Sequence, residues 1–222
     1  MTNSDTKYLT EPPQAQDESF TDATMFVVDD DDNIRKSLSR LLRAHNLKVE
    51  TFASAEEFLE RGTFSGKGCA LLDYQMPEIN GIELQTEMMR IGITLPVIFL
   101  TGKADIPTSV LAMKQGAVDF LVKPIDESNL LDAIDKALKK QATEMLINKS
   151  SQAVIACLSE LTLREREVLN LVIQGFLNKQ IAFKLGIAEK TVKAHRGKVM
   201  EKMKAKTIAD LVHKCDAVGI SN

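Results

Sequence analysis

At 222 residues, 44% apolar and 27% charged, the chain has a globular composition and the length for two modest domains, each with its own core. No apolar run approaches the ~20 residues needed to span a bilayer, and no basic start with a following apolar stretch marks a signal peptide, which predicts a cytoplasmic protein. The net charge of −3 is unevenly spread: 12 Lys and Arg face 7 Asp and Glu from Ser159 onward, against 16 and 24 before it, so a basic part suited to a polyanion follows an acidic one.

Residues 1–23 are polar, include Pro12-Pro13 and show no periodicity, which predicts a disordered tail. From Met25 strands and helices alternate. Strands are expected near 25–29, 48–52, 68–72, 96–100 and 118–122, and helices near 32–45, 54–61, 80–91, 106–115 and 126–145. In the first helix Ile34, Leu38, Leu41 and Leu42 share one face, with Arg35, Lys36, Arg40 and Arg43 elsewhere. Short apolar strands between amphipathic helices predict right-handed crossovers and a doubly wound, five-stranded parallel sheet over residues 24–141. Residues 142–158 are expected to form a helical linker, marked by the polar stretch Asn148-Lys149-Ser150-Ser151-Gln152.

Residues 159–222 read as four helices. Thr162 and Glu165 form a capping box for the first, which Gly175 ends. Asn178 is expected to cap the second, ended by Gly186; a third runs from about Glu189 to Lys202 and a fourth from about Thr207 to Val218.

The apolar strands end in chemistry. Met25-Phe26-Val27-Val28 leads into Asp29 and Asp30, Cys69-Ala70-Leu71-Leu72 into Asp73, Val97-Ile98-Phe99-Leu100 into Thr101, and Phe120-Leu121-Val122 into Lys123-Pro124. Such ends meet in one crevice at the carboxyl edge of a parallel sheet. Three carboxylates there require either a raised pKa or a bound cation, and Mg²⁺ suits carboxylates plus a phosphoryl oxygen. Asp73, alone at its strand end before a loop stiffened by Pro77, is the candidate nucleophile. Thr101 is placed to donate to a phosphoryl oxygen and Lys123 to pair with another. Each residue alone reads equally as a turn or a cap, as Asp31 and Asp32 do for the first helix; their conjunction on successive strands does not.

Val27-Val28-Asp29-Asp30, Leu72-Asp73-Tyr74-Gln75-Met76-Pro77 with Gly81, Leu100-Thr101-Gly102 and Val122-Lys123-Pro124 resemble the receiver domain of two-component response regulators. The resemblance covers roughly residues 24 to 140 and implies a flavodoxin-like fold. It further implies phosphorylation of Asp73 by a sensor histidine kinase, with Mg²⁺ held by Asp29, Asp30, Asp73 and the Gln75 carbonyl. Thr101 then moves onto the phosphoryl group, Lys123 pairs with it, and Phe120 falls on the family's switch position, though it reads also as an ordinary core residue. Gln75 and Lys103 occupy positions that tune phosphate lifetime in the family.

In the basic part, two short helices joined near Gly186-Ile187-Ala188 suggest a helix-turn-helix whose second helix enters the major groove. Val192, Val199 and Met203 form its core stripe, while Lys190, Lys193, Ala194 and Gly197 lie on a different face, spaced to point at DNA, and Lys179, Arg196 and Lys198 are placed to serve phosphates; taken alone, the same residues read equally as a solvated basic face. Leu161-Thr162-Leu163-Arg164-Glu165-Arg166-Glu167, Asn178-Lys179-Gln180-Ile181-Ala182 and Thr191-Val192-Lys193-Ala194-His195-Arg196 resemble the LuxR-type DNA-binding domain, which adds Thr191 to the contact set. Together the two parts are similar to the FixJ and NarL groups of response regulators. The partners implied are the kinase, paired half-sites on double-stranded DNA, a second copy of the chain on phosphorylation, and RNA polymerase, with no membrane.

The leading expectation is a transcription factor switched by phosphorylation, with no enzymatic activity beyond phosphorylation and slow dephosphorylation of Asp73. Two alternatives stay open: a constitutive DNA-binding protein with the receiver as a dimerisation scaffold, and an aspartyl-phosphate hydrolase. The second is disfavoured because Gln75 stands where such hydrolases carry a general acid. Cys69, Cys157 and Cys215 lack metal-type spacing and read as inert thiols in a reducing compartment.

Overall fold

The computed structural model describes residues 22–102 and 113–220. Five parallel strands, β1 (Thr24–Val28), β2 (Lys48–Phe52), β3 (Gly68–Asp73), β4 (Val97–Thr101) and β5 (Asp119–Val122), form one sheet in the order β2-β1-β3-β4-β5. This is the doubly wound, flavodoxin-like order, and its reversal of direction falls between β1 and β3. Val28 pairs with Leu72 in the register, so Asp29 and Asp73 leave the sheet side by side.

The central strands are apolar from end to end because both faces are covered. On one face Phe26, Val28, Leu72 and Phe99 meet Phe58 of α2 (Ala55–Glu60) and Leu84 and Met88 of α3 (Gly81–Arg90). On the other, Met25, Val27, Leu71 and Ile98 meet Leu38 and Leu42 of α1 (Asp32–Ala44) and Leu130, Ile134 and Leu138 of α4 (Glu127–Ser159). Asp31 caps α1 with a bond to the Asn33 amide, and Asn80 caps α3 in a reciprocal box with Glu83. Gly81 lets α3 start against the site: a Cβ there would lie 2.5 Å from the Asp73 backbone oxygen. Buried Gln141 ties α4 to the sheet, its Oε1 accepting from the Gly68 amide at 2.9 Å.

Two sequence expectations are corrected. The helix expected near 126–145 does not end there: α4 runs unbroken for 33 residues, through the expected helical linker to Ser159. Neither Gly nor Pro occurs between Pro124 and Gly175, and polar residues alone cost a helix too little to end it. Asn178 is not a cap but the first residue of its helix, behind Leu177; its side chain accepts instead from Arg196. The expected N-terminal tail and most of the helix expected near 106–115 lie outside the described residues.

The chain divides into two compact units between Ala142 and Thr143, within α4. The second contains α5 (Leu163–Ile173), α6 (Asn178–Leu185), α7 (Glu189–Lys202) and α8 (Ile208–Asp216), the last capped by Thr207. Val168, Leu169, Val172, Ile181, Val192, Val199, Leu211 and Cys215 form its core. The expected capping box holds: the Thr162 hydroxyl accepts from the Glu165 amide and the Glu165 carboxylate from the Thr162 amide. The carboxylate, buried, also accepts from Lys202 Nζ at 2.7 Å, which pins the end of α7 to the start of α5. No helix among the described residues is long and apolar enough to cross a membrane.

The Lys202 ammonium, and after it the Thr162 amide, holds the Glu165 carboxyl at about 2, below its ordinary 4.5. A depressed carboxylate stabilises the fold above its unfolded value, and that contribution is lost as pH falls through the folded one. The α5–α8 amide resonances are therefore expected to weaken in stability between about pH 4.5 and about pH 2. Glu165→Gln keeps the cap and loses the ion pair, so thermal melts of the variant, followed on those resonances, should show a shallower acid dependence over that window. An unchanged dependence would contradict the assignment.

Candidate functional site

The crevice is built from four strand ends. Asp29, just past β1, is completely buried but not unpaired: Oδ1 accepts from the Asp31 amide at 3.0 Å and Oδ2 from Lys123 Nζ at 2.6 Å. Asp73, the last residue of β3, is 6% exposed. Its Oδ1 lies 3.3 Å from Lys123 Nζ and accepts from the Gln75 amide at 3.4 Å. Asp30 is exposed beside them, and one carboxylate oxygen from each of Asp29, Asp30 and Asp73 lies within 4.8 Å of the others. Such clustered oxygens, with Asp30 open to solvent, suit a hard divalent cation.

Electrostatics match this geometry. Burial pushes the Asp73 carboxyl up; Lys123 opposes the shift and the Asp29 charge reinforces it. Burial works to lower the Lys123 ammonium, but hydrogen bonding to Asp29 and the charges of Asp73 and Asp29 outweigh it and hold the amine above its ordinary value. Lys123 therefore stays charged and is shared by two carboxylates.

Thr101 ends β4, buried, and its carbonyl accepts from the Lys123 amide at 2.7 Å, so hydroxyl and ammonium arise on neighbouring strand ends. The Lys123–Pro124 peptide is cis. Phe120, half-buried on β5, lies 6.4 Å from the Phe99 ring and 6.1 Å from the Tyr74 ring, and Tyr74 lies 6.3 Å from Phe99. Gln75 is exposed on the loop after Asp73, and Lys103 lies outside the described residues.

Sequence reasoning missed two members of the crevice. Arg35, assigned to the solvated face of α1, donates from Nη1 to the Asp29 carbonyl at 2.6 Å and pairs with Asp32 at 3.2 Å. Tyr74 joins Phe99 and Phe120 in one aromatic cluster, so the residue after Asp73 touches the residue expected to switch. For Tyr74 a signal existed: alternation along β3 turns residue 74 to the face opposite Asp73. For Arg35 none did, because its partner is a backbone carbonyl.

In the second unit α6 and α7 are joined by Gly186, Ile187 and Ala188. Gly186 sits at φ +63°, where any Cβ would be strained, and so sets the sharp turn. Val192, Val199 and Met203 are buried, while Lys190, Thr191, Lys193, Ala194, Gly197 and Lys198 are exposed along α7, and Lys179 is exposed at the start of α6. Arg196 is half-buried, and its Nη1 donates to Asn178 Oδ1 at 2.8 Å, tying α7 to α6. His195 is half-buried.

Comparison with known proteins finds relatives of both parts of the chain. Residues 25–135 match the response regulator receiver domain, and residues 159–215 match the bacterial regulatory proteins of the luxR family. Nodulation protein W of Bradyrhizobium diazoefficiens is 42% identical over 204 residues, 92% of this chain and 90% of that protein. The transcriptional regulatory protein FixJ of Rhizobium meliloti is 38% identical over 200 residues, 90% of this chain and 98% of that one. Among solved structures the response regulator StyR is 44% identical, with a TM-score of 0.75 over 88% of this chain and 99% of that one. With a receiver crevice on a doubly wound sheet and a helix-turn-helix behind it, the chain belongs to the two-component response regulators that carry a LuxR-type DNA-binding domain.

Proposed function

We propose that a sensor histidine kinase phosphorylates Asp73 and that the added charge switches dimerisation and sequence-specific DNA binding, and with them transcription. The observation that carries the reading is the convergence of Asp29, Asp30 and Asp73 on one point, with Lys123 Nζ reaching two of the three. Asp73 is the phosphoacceptor: its oxygen forms the bond to phosphorus as the bond to the donor histidine nitrogen breaks. A Mg²⁺ ion held by Asp29, Asp30, Asp73 and the Gln75 carbonyl would neutralise charge between the carboxylate and the incoming phosphoryl group. Lys123 pairs with the phosphoryl oxygens once Asp73 no longer carries its own charge. Thr101 donates to a second oxygen, and Phe120 follows it within the ring cluster of Tyr74 and Phe99. Gln75 and Lys103 set how long the phosphate lasts. Because Gln75 is no general acid, turnover is confined to slow loss of the phosphate from Asp73.

Residues 24–141 act as the receiver, 142–158 as a helical linker and 159–222 as the DNA-binding domain of a cytoplasmic regulator. Lys190, Thr191, Lys193, Ala194 and Gly197 face the bases, while Lys179, Arg196 and Lys198 face phosphates; the bond from Arg196 to Asn178 fixes where that guanidinium points. Two copies on paired half-sites supply the affinity that one small domain lacks, and RNA polymerase is the downstream partner.

Incubation with acetyl phosphate and Mg²⁺, followed by mass spectrometry of the intact chain, is expected to add one phosphoryl group to the wild type and none to Asp73→Asn. Equal labelling of the variant would sink the assignment of Asp73. Lys123→Met should slow the transfer by on the order of 10²-fold, the cost of losing one charged donor to a developing phosphoryl charge. Removing its positive charge should also tighten Mg²⁺ binding, several-fold or more, read by calorimetry. Weaker Mg²⁺ binding in that variant would contradict the reading that the ammonium and the cation compete for the same negative charge.

A further inference from the structure

The outward side of α1 carries more positive charge than the fold uses. Arg35, Lys36, Arg40 and Arg43 line an open groove of about 520 Å³ between α1 and Thr51 of the edge strand β2, and Asp32 is the one carboxylate in that lining. Asp32 is already engaged, by Arg35 at 3.2 Å and by Lys36 at 2.6 Å. Arg40 and Arg43 are exposed, and among the described residues neither pairs with a carboxylate. Three and four residues apart along the helix, Lys36, Arg40 and Arg43 are surface neighbours of like charge, an arrangement that repels itself until an anion covers it.

The point at which the described chain begins identifies that anion. Asp22 Oδ1 accepts from Lys48 Nζ at 3.0 Å, which holds residue 22 beside the first residue of β2. Arg43 Nη2 donates to the carbonyl of Val49, the second residue of the same strand, at 3.5 Å. Residues 1–21, which lie outside the described residues, are thus joined to the chain next to the Arg43 end of the groove. Their sequence holds Asp5, Glu11, Asp17 and Glu18 against Lys7, the inverse of the charge in the groove. An extended chain advances at most about 3.3–3.6 Å per residue, so Glu18 and Asp17, just ahead of Asp22, reach roughly 13–18 Å. From Arg43 back to Lys36 the helix rises about 10 Å. The two carboxylates therefore meet the groove's cations without stretching the chain, and Glu11 follows farther out.

Surface ion pairs are individually weak and screened by salt. A tether of this length offsets the weakness with an effective concentration on the order of millimolar. A free acidic partner held by the same few pairs would have to be present at that level.

We propose that the groove between α1 and β2 is the docking site of the chain's own N-terminal segment, residues 1–21, with Asp17 and Glu18 seated on Arg40 and Arg43 and Glu11 continuing toward Lys36. Docked there, the segment neutralises the basic side of α1 as far as Arg35, which grips the Asp29 carbonyl of the crevice. It then sets how much of that charge is open to any other acidic surface.

The test uses the full chain with a nitroxide at Gln14→Cys, in a Cys157→Ser background because Cys69 and Cys215 are buried. Amide signals of Ser39 and Thr51, which line the groove, are compared with those of Met88 on the opposite side of the sheet. The nitroxide should weaken the first two about twofold or more and leave Met88 nearly unchanged. Salt at about 0.5 M cuts the screening length to roughly 4 Å and should restore them. Arg40→Glu with Arg43→Glu should restore them as well, and adding Asp17→Lys with Glu18→Lys should bring the weakening back. That rescue, together with thermal melts that match the wild type, separates lost docking from lost fold. Three results would overturn the proposal. The groove signals could be as strong as that of Met88 in the wild type. The weakening could survive both salt and charge reversal. It could arise in a mixture of isotope-labelled chain with nitroxide-bearing unlabelled chain, which would make the groove a site for the segment of a second copy.

Discussion

One ammonium group holds the receiver crevice together. Lys123 comes from the end of β5, two strands away from Asp73 and three from Asp29, and its Nζ is within ion-pair distance of both carboxylates. Without it, two buried carboxylates would face one another, and like charges about 4 Å apart repel by roughly 4 kcal/mol at an effective dielectric of 20. With it, the strand ends can stay close enough to act on one ligand. Even so, the balance is incomplete: one ammonium offsets one carboxylate, Asp30 adds a third, and Asp73 titrates above its ordinary range. The residual negative charge is what a divalent cation would satisfy.

The sheet makes this possible. Its direction reverses between β1 and β3, so the two helices that follow those strands lie on opposite faces and leave the crevice open. Gly81 allows α3 to start hard against the Asp73 backbone, and Arg35 of α1 grips the Asp29 carbonyl from the other side. These backbone contacts position the acidic strand ends, while their carboxylates meet Lys123 and the amides of Asp31 and Gln75. In the second unit a different buried pair has the corresponding role. Glu165 binds Lys202 and so sets the position of α7, whose exposed face then carries lysines without helping to hold the fold.

Much of this was legible in the chain because strands and site share one signal. Apolar runs that end in Asp29, Asp73, Thr101 and Lys123 mark both the buried sheet and the edge where its chemistry lies, and the observed strands fall within a residue or two of those runs. The helix end expected near residue 145 failed for a physical reason: polarity reports exposure, whereas helices end at Gly, Pro or a cap, and no Gly or Pro follows before Gly175. Asn178 was misplaced by one residue because its side chain serves Arg196 rather than the helix end, a partner 18 residues away that no local pattern reveals. The link between Arg35 and the Asp29 carbonyl was hidden likewise, since side-chain identity says nothing about which backbone oxygen lies near. Phe183 is the opposite case, an aromatic residue whose exposure on α6 runs against ordinary burial.

The central claim is that charge added at Asp73 controls what α7 does on DNA. The most direct test is retention of a random duplex pool by wild-type chain and by Asp73→Asn, each with and without acetyl phosphate and Mg²⁺. The account predicts a gain in specific binding confined to phosphorylated wild type, with one family of paired half-sites enriched. Equal retention in all four conditions would contradict it, leaving a DNA-binding protein in which the crevice has no control over the helix-turn-helix.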